Sequence, residues 1–309
     1  MEEPQIVSPE VPEEKPKRKL YAEHILLIIA LCTAALTIAM VLLCLPYFNP
    51  TEDPEVELHR HPQQTQPLVT EAPTEGPTEP PLPEPEKNPY GRMDFQYEGR
   101  YLGCIKADTE PGIDVSAYQG DIDWKKVKAS GIQFAIIRLG YRGYGTGKLV
   151  QDDYAIKNIE GALNAGLRVG VYIFSQAISV EEAAEEARVV LDRIKGYDIT
   201  MPVVFDWEYV NDEARTAGMD RRTLTDCYLE FCRIISEAGY TPMSYFNTYQ
   251  SRSLMYLHEL EDYPFWLALY SDRMTYPYRI EMWQYTDSGK VPGIEGNVDI
   301  NLYFVNEYF

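Results

Sequence analysis

Two carboxylic acids one residue apart, Asp206 and Glu208, follow the apolar run Val203-Val204-Phe205. In an extended strand, residues two apart point the same way and stand about 6.6 Å from each other. Both acids therefore look into one space while Trp207 packs to the other side. Asp114, in Gly-Ile-Asp-Val-Ser, and Asp299, in Gly-Asn-Val-Asp-Ile-Asn, occupy similar run ends. Carboxylates gathered at one opening repel one another, which raises at least one pKa and leaves a protonated acid near neutral pH. A glycosidic oxygen needs such a general acid before it can leave. The same residue types admit two plainer readings: each Asp can cap the loop that follows it or pair with an arginine, and a cluster of carboxylates can hold Ca²⁺.

The elements that would position these acids repeat along the chain. Apolar, β-branched runs fall at residues 112–117, 134–139, 169–174, 202–207, 243–246, 265–270, 281–285 and 298–304. Helical patterns fall between the early ones, at 124–129, 153–165, 180–194 and 222–238, and several close at a glycine, namely Gly131, Gly166, Gly196 and Gly239. Alternating strands and helices with near-continuous apolar strands predict a parallel sheet, and eight strands predict a closed barrel whose active site lies at the carboxyl ends of the strands. In such a barrel the first and last strands are neighbours, so Asp114 and Asp299 meet. The connection between 265–270 and 281–285 is too short for a comfortable helical crossover. The expected fold class is thus α/β, an irregular (β/α) TIM-like barrel with some helices missing and room for one antiparallel strand near its end.

Aromatic residues cluster where the strands end. Among 24 Tyr and 4 Trp, Tyr172, Tyr245, Trp266, Tyr270 and Trp283 offer flat faces suited to pyranose C–H groups, although any one of them can equally be core. The segment from Gly140 to Gly147, Gly-Tyr-Arg-Gly-Tyr-Gly-Thr-Gly, lacks both the Gly-Lys-Ser/Thr ending and the G-x-G-x-x-G spacing of phosphate cradles. It reads as a mobile loop beside the site, with no nucleotide cofactor.

Composition excludes other classes. Lys and Arg number 28 against 48 Asp and Glu, a net charge of −20, and no basic stripe exists to bind nucleic acid. Only His258 lies beyond the first hundred residues, which removes a His-ligated zinc site and a Ser-His-Asp triad. Cys227 and Cys232 sit roughly 140° apart on a helix and cannot bridge, so stability should be indifferent to reductant.

Residues 25–45, ILLIIALCTAALTIAMVLLCL, carry no charge and as a helix of about 31 Å match the hydrocarbon core of a bilayer. Lys15, Lys17, Arg18 and Lys19 precede them and Glu52 and Asp53 follow, so the positive-inside rule keeps the amino terminus in the cytoplasm and places everything beyond residue 46 outside. A cleaved signal peptide competes with this reading, but the run is long and lacks a small-x-small site. Half of the chain's 22 Pro lie within residues 49–90, among Thr and Glu, the composition of an extended stalk. The expected organisation is a cytoplasmic tail at 1–24, a transmembrane helix at 25–45 that contacts the lipid bilayer, an extracellular linker at 46–100 and a folded domain at 101–309.

The residues from Asp114 to Gly120 (Asp-Val-Ser-Ala-Tyr-Gln-Gly), the Asp206-Trp-Glu208 pair, Phe265 to Tyr270, and the block from Met282-Trp-Gln-Tyr-Thr286 through Asp299-Ile-Asn301 closely resemble glycoside hydrolase family 25. These are the muramidases, or lysozymes, of bacteria and phages, and the likeness spans about residues 110–305. The resemblance implies cleavage of the β-1,4 bond between N-acetylmuramic acid and N-acetylglucosamine in peptidoglycan glycan strands, without metal or cofactor. By position it implies Glu208 as general acid, Asp206 as the residue that orients or stabilises the substrate's acetamido group, Asp114 and Asp299 as supporting carboxylates, and Tyr172, Tyr245, Trp266, Tyr270 and Trp283 as sugar contacts. Ile173 departs from the pattern, because many members carry His there. A module that binds peptidoglycan without turnover is the alternative on the same fold; the presence of Glu208 favours the enzyme.

Overall fold

The computed structural model describes residues 83–305. The proposed spanning segment 25–45 lies outside them, and among the described residues no helix is long and apolar enough to cross a membrane.

Eight strands close a barrel. In chain order these are β3 (Thr109–Val115), β4 (Phe134–Arg142), β6 (Arg168–Ser175), β7 (Val203–Trp207), β8 (Pro242–Asn247), β9 (Phe265–Ala268), β10 (Met282–Gly289) and β11 (Val298–Phe304). They run parallel from β3 through β10, and β3 pairs with β4 while β11 lies antiparallel between β10 and β3 to complete the circle. Three further strands complete the numbering: β5 (Leu149–Gln151) forms a hairpin on β4, and β1 (Phe95–Glu98) and β2 (Tyr101–Cys104) form a separate hairpin.

Side chains alternate across each strand. Phe134, Ile136, Tyr172, Val204, Met243, Trp266, Met282 and Tyr303 fill the barrel. Their neighbours Ala135, Ile137, Val171, Ile173, Val203 and Phe205 face outward into a second apolar layer. This double burial explains the near-continuous apolar runs. Gly112 is required by packing: a Cβ there would lie 2.2 Å from the Phe134 ring.

The helices α1 (Trp124–Ala129), α2 (Ala155–Asn164), α3 (Val180–Ile194), α4 (Arg221–Glu237) and the short α5 (Thr248–Ser253) cover the early strands. Ser179 caps α3 by accepting from Glu182 N, and Asp220 caps α4 by accepting from Arg222 N and Thr223 N. The apolar stripe Leu224, Tyr228, Phe231 and Ile235 turns α4 inward. No helix crosses between β9 and β10 or between β10 and β11, which agrees with the short connections in the sequence. Cys104, Cys227 and Cys232 are all buried and unbridged.

The structure corrects two expectations about the chain's organisation. The boundary drawn at residue 101 cuts the β1–β2 hairpin, and contacts with the barrel domain already occur at residues 86–88. Asn88 N donates to Pro277 O and Arg279 N to Glu86 O, laying residues 86–88 along 277–279. Tyr90 stacks on Phe304 at 5.1 Å, and Phe95 meets Trp283 edge-on at 5.1 Å. The second correction concerns the Gly-rich segment 140–147, expected as a mobile loop. It comprises the end of β4 and the turn of the β4–β5 hairpin, fixed by Arg142, whose guanidinium is buried between Gly147 O, Glu185 and Glu186.

Candidate active site

Asp206 lies on β7 and Glu208 one residue beyond it, so the strand's alternation aims both into the barrel mouth while Trp207 points outward, its Nε1 donating to Ala177 O. Asp114 is the penultimate residue of β3 and stands directly opposite Asp299 on β11. The two pairs face each other across the mouth, and the negative charge of Asp114 reaches both Asp206 and Glu208. Asp114, Asp206 and Asp299 are buried; Glu208 is half-buried.

A chain of neutral donors fixes Asp114. Gln284 Nε2 donates to its Oδ2 at 2.9 Å and Asn301 Nδ2 at 2.7 Å. Gln284 Oε1 in turn accepts from Tyr245 OH at 2.9 Å and Tyr270 OH at 3.2 Å, and Asn301 Oδ1 accepts from Trp266 Nε1 at 2.9 Å. These donors favour the ionised form of Asp114, but its burial outweighs them and its pKa is raised. The carboxyl of Asp299 hydrogen-bonds that of Asp114 and is pushed well above the ordinary range, first by burial and then by the charge of its partner.

The Asp206 and Glu208 carboxyls also hydrogen-bond each other. Burial raises both. For Asp206 the charges of Glu208 and Asp114 add to it, against an opposing pull from Arg138; Glu208 is pushed up to about 7. Two such groups titrate as a unit, and this unit retains a proton near neutrality. Arg138 directs its Nε to Asp152 at 2.9 Å and lies over the rings of Tyr118 and Tyr141. Asp206 Oδ1 has no hydrogen-bond partner within the protein. Among the described residues no group of three or more acids, His or Cys is arranged to hold a metal ion.

The five aromatics expected at the site separate into three groups. Tyr270 is 38% exposed and stands at the rim, where a sugar ring can reach it. Tyr172, Tyr245 and Trp266 line the barrel below, with Trp266 edge-on to Tyr245 at 4.8 Å. Trp283 is misassigned: it is fully buried on the outer face of β10, where its Nε1 donates to Leu269 O. Strand parity explains this, because Met282 and Gln284 face inward and Trp283 between them cannot. Sequence reasoning missed the roles of Gln284, Asn301 and Arg138. Their signal was a polar side chain at an inward position of an otherwise apolar strand.

A closed, mostly parallel barrel with paired carboxyls gathered at one mouth is a geometry suited to glycoside hydrolysis. The sequence model of glycosyl hydrolases family 25 matches residues 113–294, and the chain belongs to that family. It is 29% identical over 217 residues to lysozyme M1 of Streptomyces globisporus, covering 66% of this chain and 71% of that one. Against the Escherichia coli (strain K12) protein YegX the identity is 30% over 209 residues, covering 63% and 70%. Among solved structures, the modular autolysin LytC of Streptococcus pneumoniae in complex with a synthetic peptidoglycan ligand superposes with a TM-score of 0.53 at 28% identity. The match covers 63% of this chain and 47% of LytC, so the chain spans about half the length of that relative.

Proposed function

We propose that the domain is a muramidase that hydrolyses the β-1,4 bond between N-acetylmuramic acid and N-acetylglucosamine in peptidoglycan. The observation that carries this reading is the Asp206–Glu208 pair, which keeps a proton near neutral pH with its more exposed member at the mouth. Glu208 gives that proton to the oxygen leaving with N-acetylglucosamine as the C1–O bond of the muramic residue breaks; water supplies the hydroxyl that ends on C1 and a proton that returns to the site. Asp206, deeper and with one oxygen unpartnered, orients the acetamido group beside C1. The charge of Asp114 adds to burial in keeping the donor protonated, Asp299 hydrogen-bonds Asp114 beneath it, and Tyr270 offers a ring to the sugar. The names of lysozyme M1 and of the LytC–peptidoglycan complex support the substrate class. The experiment is release of reducing ends from purified peptidoglycan by the full-length protein; no release at any pH from 4 to 8 would end this reading.

A pH profile follows from the direction of the Glu208 shift. The pKa is raised from 4.5 to about 7, so the donor is protonated below that value and lost as pH rises through it. The rate is expected to fall tenfold per pH unit above about 7, which a kcat profile on soluble glycan would show. A flat profile to pH 9 would remove Glu208 from the proton-donor role.

On the sequence alone, we further propose that residues 25–45 anchor the enzyme in the cell membrane, with the amino terminus cytoplasmic and the domain outside. The full-length chain should stay with membranes through high-salt and alkaline washes. Release into the wash would refute the anchor.

A further inference from the structure

The segment carrying the two acids runs past its own sheet. β7 pairs with β6 as far as Trp207 and with β8 only as far as Asp206. The next carbonyls are received by side chains. Gln250 Nε2 donates to Trp207 O, and Gln176 Nε2 donates to Glu208 O at 2.6 Å. Both glutamines are fully buried, where an unmet amide would be costly.

Both polar atoms of the Gln176 side chain are matched. Besides Glu208 O, Nε2 donates to Ser175 O at 2.9 Å, and Oε1 accepts from the Thr216 hydroxyl at 3.0 Å. The Gln176 backbone carbonyl accepts from Arg215 Nη1 at 3.2 Å, and Arg215 is held by both oxygens of Glu182, at 2.7 and 2.8 Å. The loop that leaves Glu208 therefore returns at residues 215–216 to grip the residue that fixes it. Turned over, the amide would set Oε1 against two carbonyl oxygens, so the Thr216 hydroxyl donates to the correctly oriented form.

We propose that Gln176, oriented by Thr216, is a positioning residue for Glu208: its amide continues the strand ladder by one carbonyl and fixes where that carboxyl stands against the sugar. This rests on the reading of Glu208 as proton donor. The amide touches neither substrate nor the reacting atoms. Its effect belongs in kcat, because a displaced donor reaches the bound glycosidic oxygen less often while the sugar subsites are unchanged.

The test uses the full-length protein on soluble glycan, with Glu208→Gln run in parallel. Thr216→Val, nearly isosteric, should lower kcat about tenfold with KM within about twofold of the parent. Thr216→Ser should restore turnover. Gln176→Leu should lower kcat roughly a hundredfold, and the double variant should be no worse than Gln176→Leu, because both changes act through one amide. Parental kcat in both Thr216→Val and Gln176→Leu, with Glu208→Gln inactive, would overturn the positioning role and leave the donor standing. A rise in KM alone, or equal loss in Thr216→Val and Thr216→Ser, would also overturn it. Parental turnover by Glu208→Gln would remove the donor reading and this inference together.

Discussion

Glu208→Gln is expected to lower kcat by about a thousandfold, within the range a general acid contributes, while KM changes little. The amide keeps the shape and most hydrogen-bonding of the carboxyl but has no proton to give to the leaving oxygen. A second readout separates loss of chemistry from loss of fold. Burial raises the Glu208 pKa from 4.5 to about 7. A carboxyl whose folded-state pKa is raised contributes stability that is complete below its unfolded value and is lost as pH rises through the folded one. Gln is neutral throughout and escapes that loss. The variant should melt with the parent at pH 4 and above it at pH 8, so an inactive protein that is more stable at alkaline pH marks a site whose donor is held at a cost to the fold. Parental turnover, or a variant less stable than the parent at pH 8, would contradict the environment derived for this residue.

The acids were legible in the sequence because their argument used strand parity: Asp206 and Glu208 had to share a face, and Asp114 and Asp299 had to meet once the first and last strands became neighbours. Trp283 is legible only as an aromatic near a strand end, a signal that does not distinguish the two faces of an alternating strand. The same parity, applied to β10, selects Gln284. Gln176 was hidden for a different reason, since its partners Glu208 and Thr216 lie 32 and 40 residues away and no local pattern announces them. Arg142 likewise meets Glu186 across 44 residues, and that buried pair turns a Gly-rich stretch into a fixed hairpin. The β1–β2 hairpin escaped notice because β1 has one buried residue, Phe95, followed by three exposed ones, too weak an apolar signal to distinguish from the linker.

That weak signal conceals the second large effect. Deleting the chain before residue 108 leaves every strand of the barrel and the whole of the matched segment 113–294, yet it should abolish stable folding, whereas a chain beginning at residue 83 should fold. Phe95, Tyr101, Leu102 and Cys104 are all buried, and each large apolar side chain among them is worth about 1.5–3 kcal/mol of burial. Their removal also uncovers Trp283, Tyr285 and Phe304, and leaves Tyr285 OH without the Leu102 N–H that donates to it. The combined loss is of the same order as the whole net stability of a domain, about 5–15 kcal/mol. The outer face of β10 has no helix to cover it, and the arm formed by residues 83–104 takes that place. Phe95→Ala probes the same contact more gently, with an expected cost of about 3 kcal/mol and a melting temperature lower by roughly 6–12 °C for a domain of this size. Thermal melts of the two truncated chains check the claim: if the chain beginning at residue 108 melts within a few degrees of the one beginning at residue 83, the arm is an ornament on the barrel and the apolar face beneath it tolerates water.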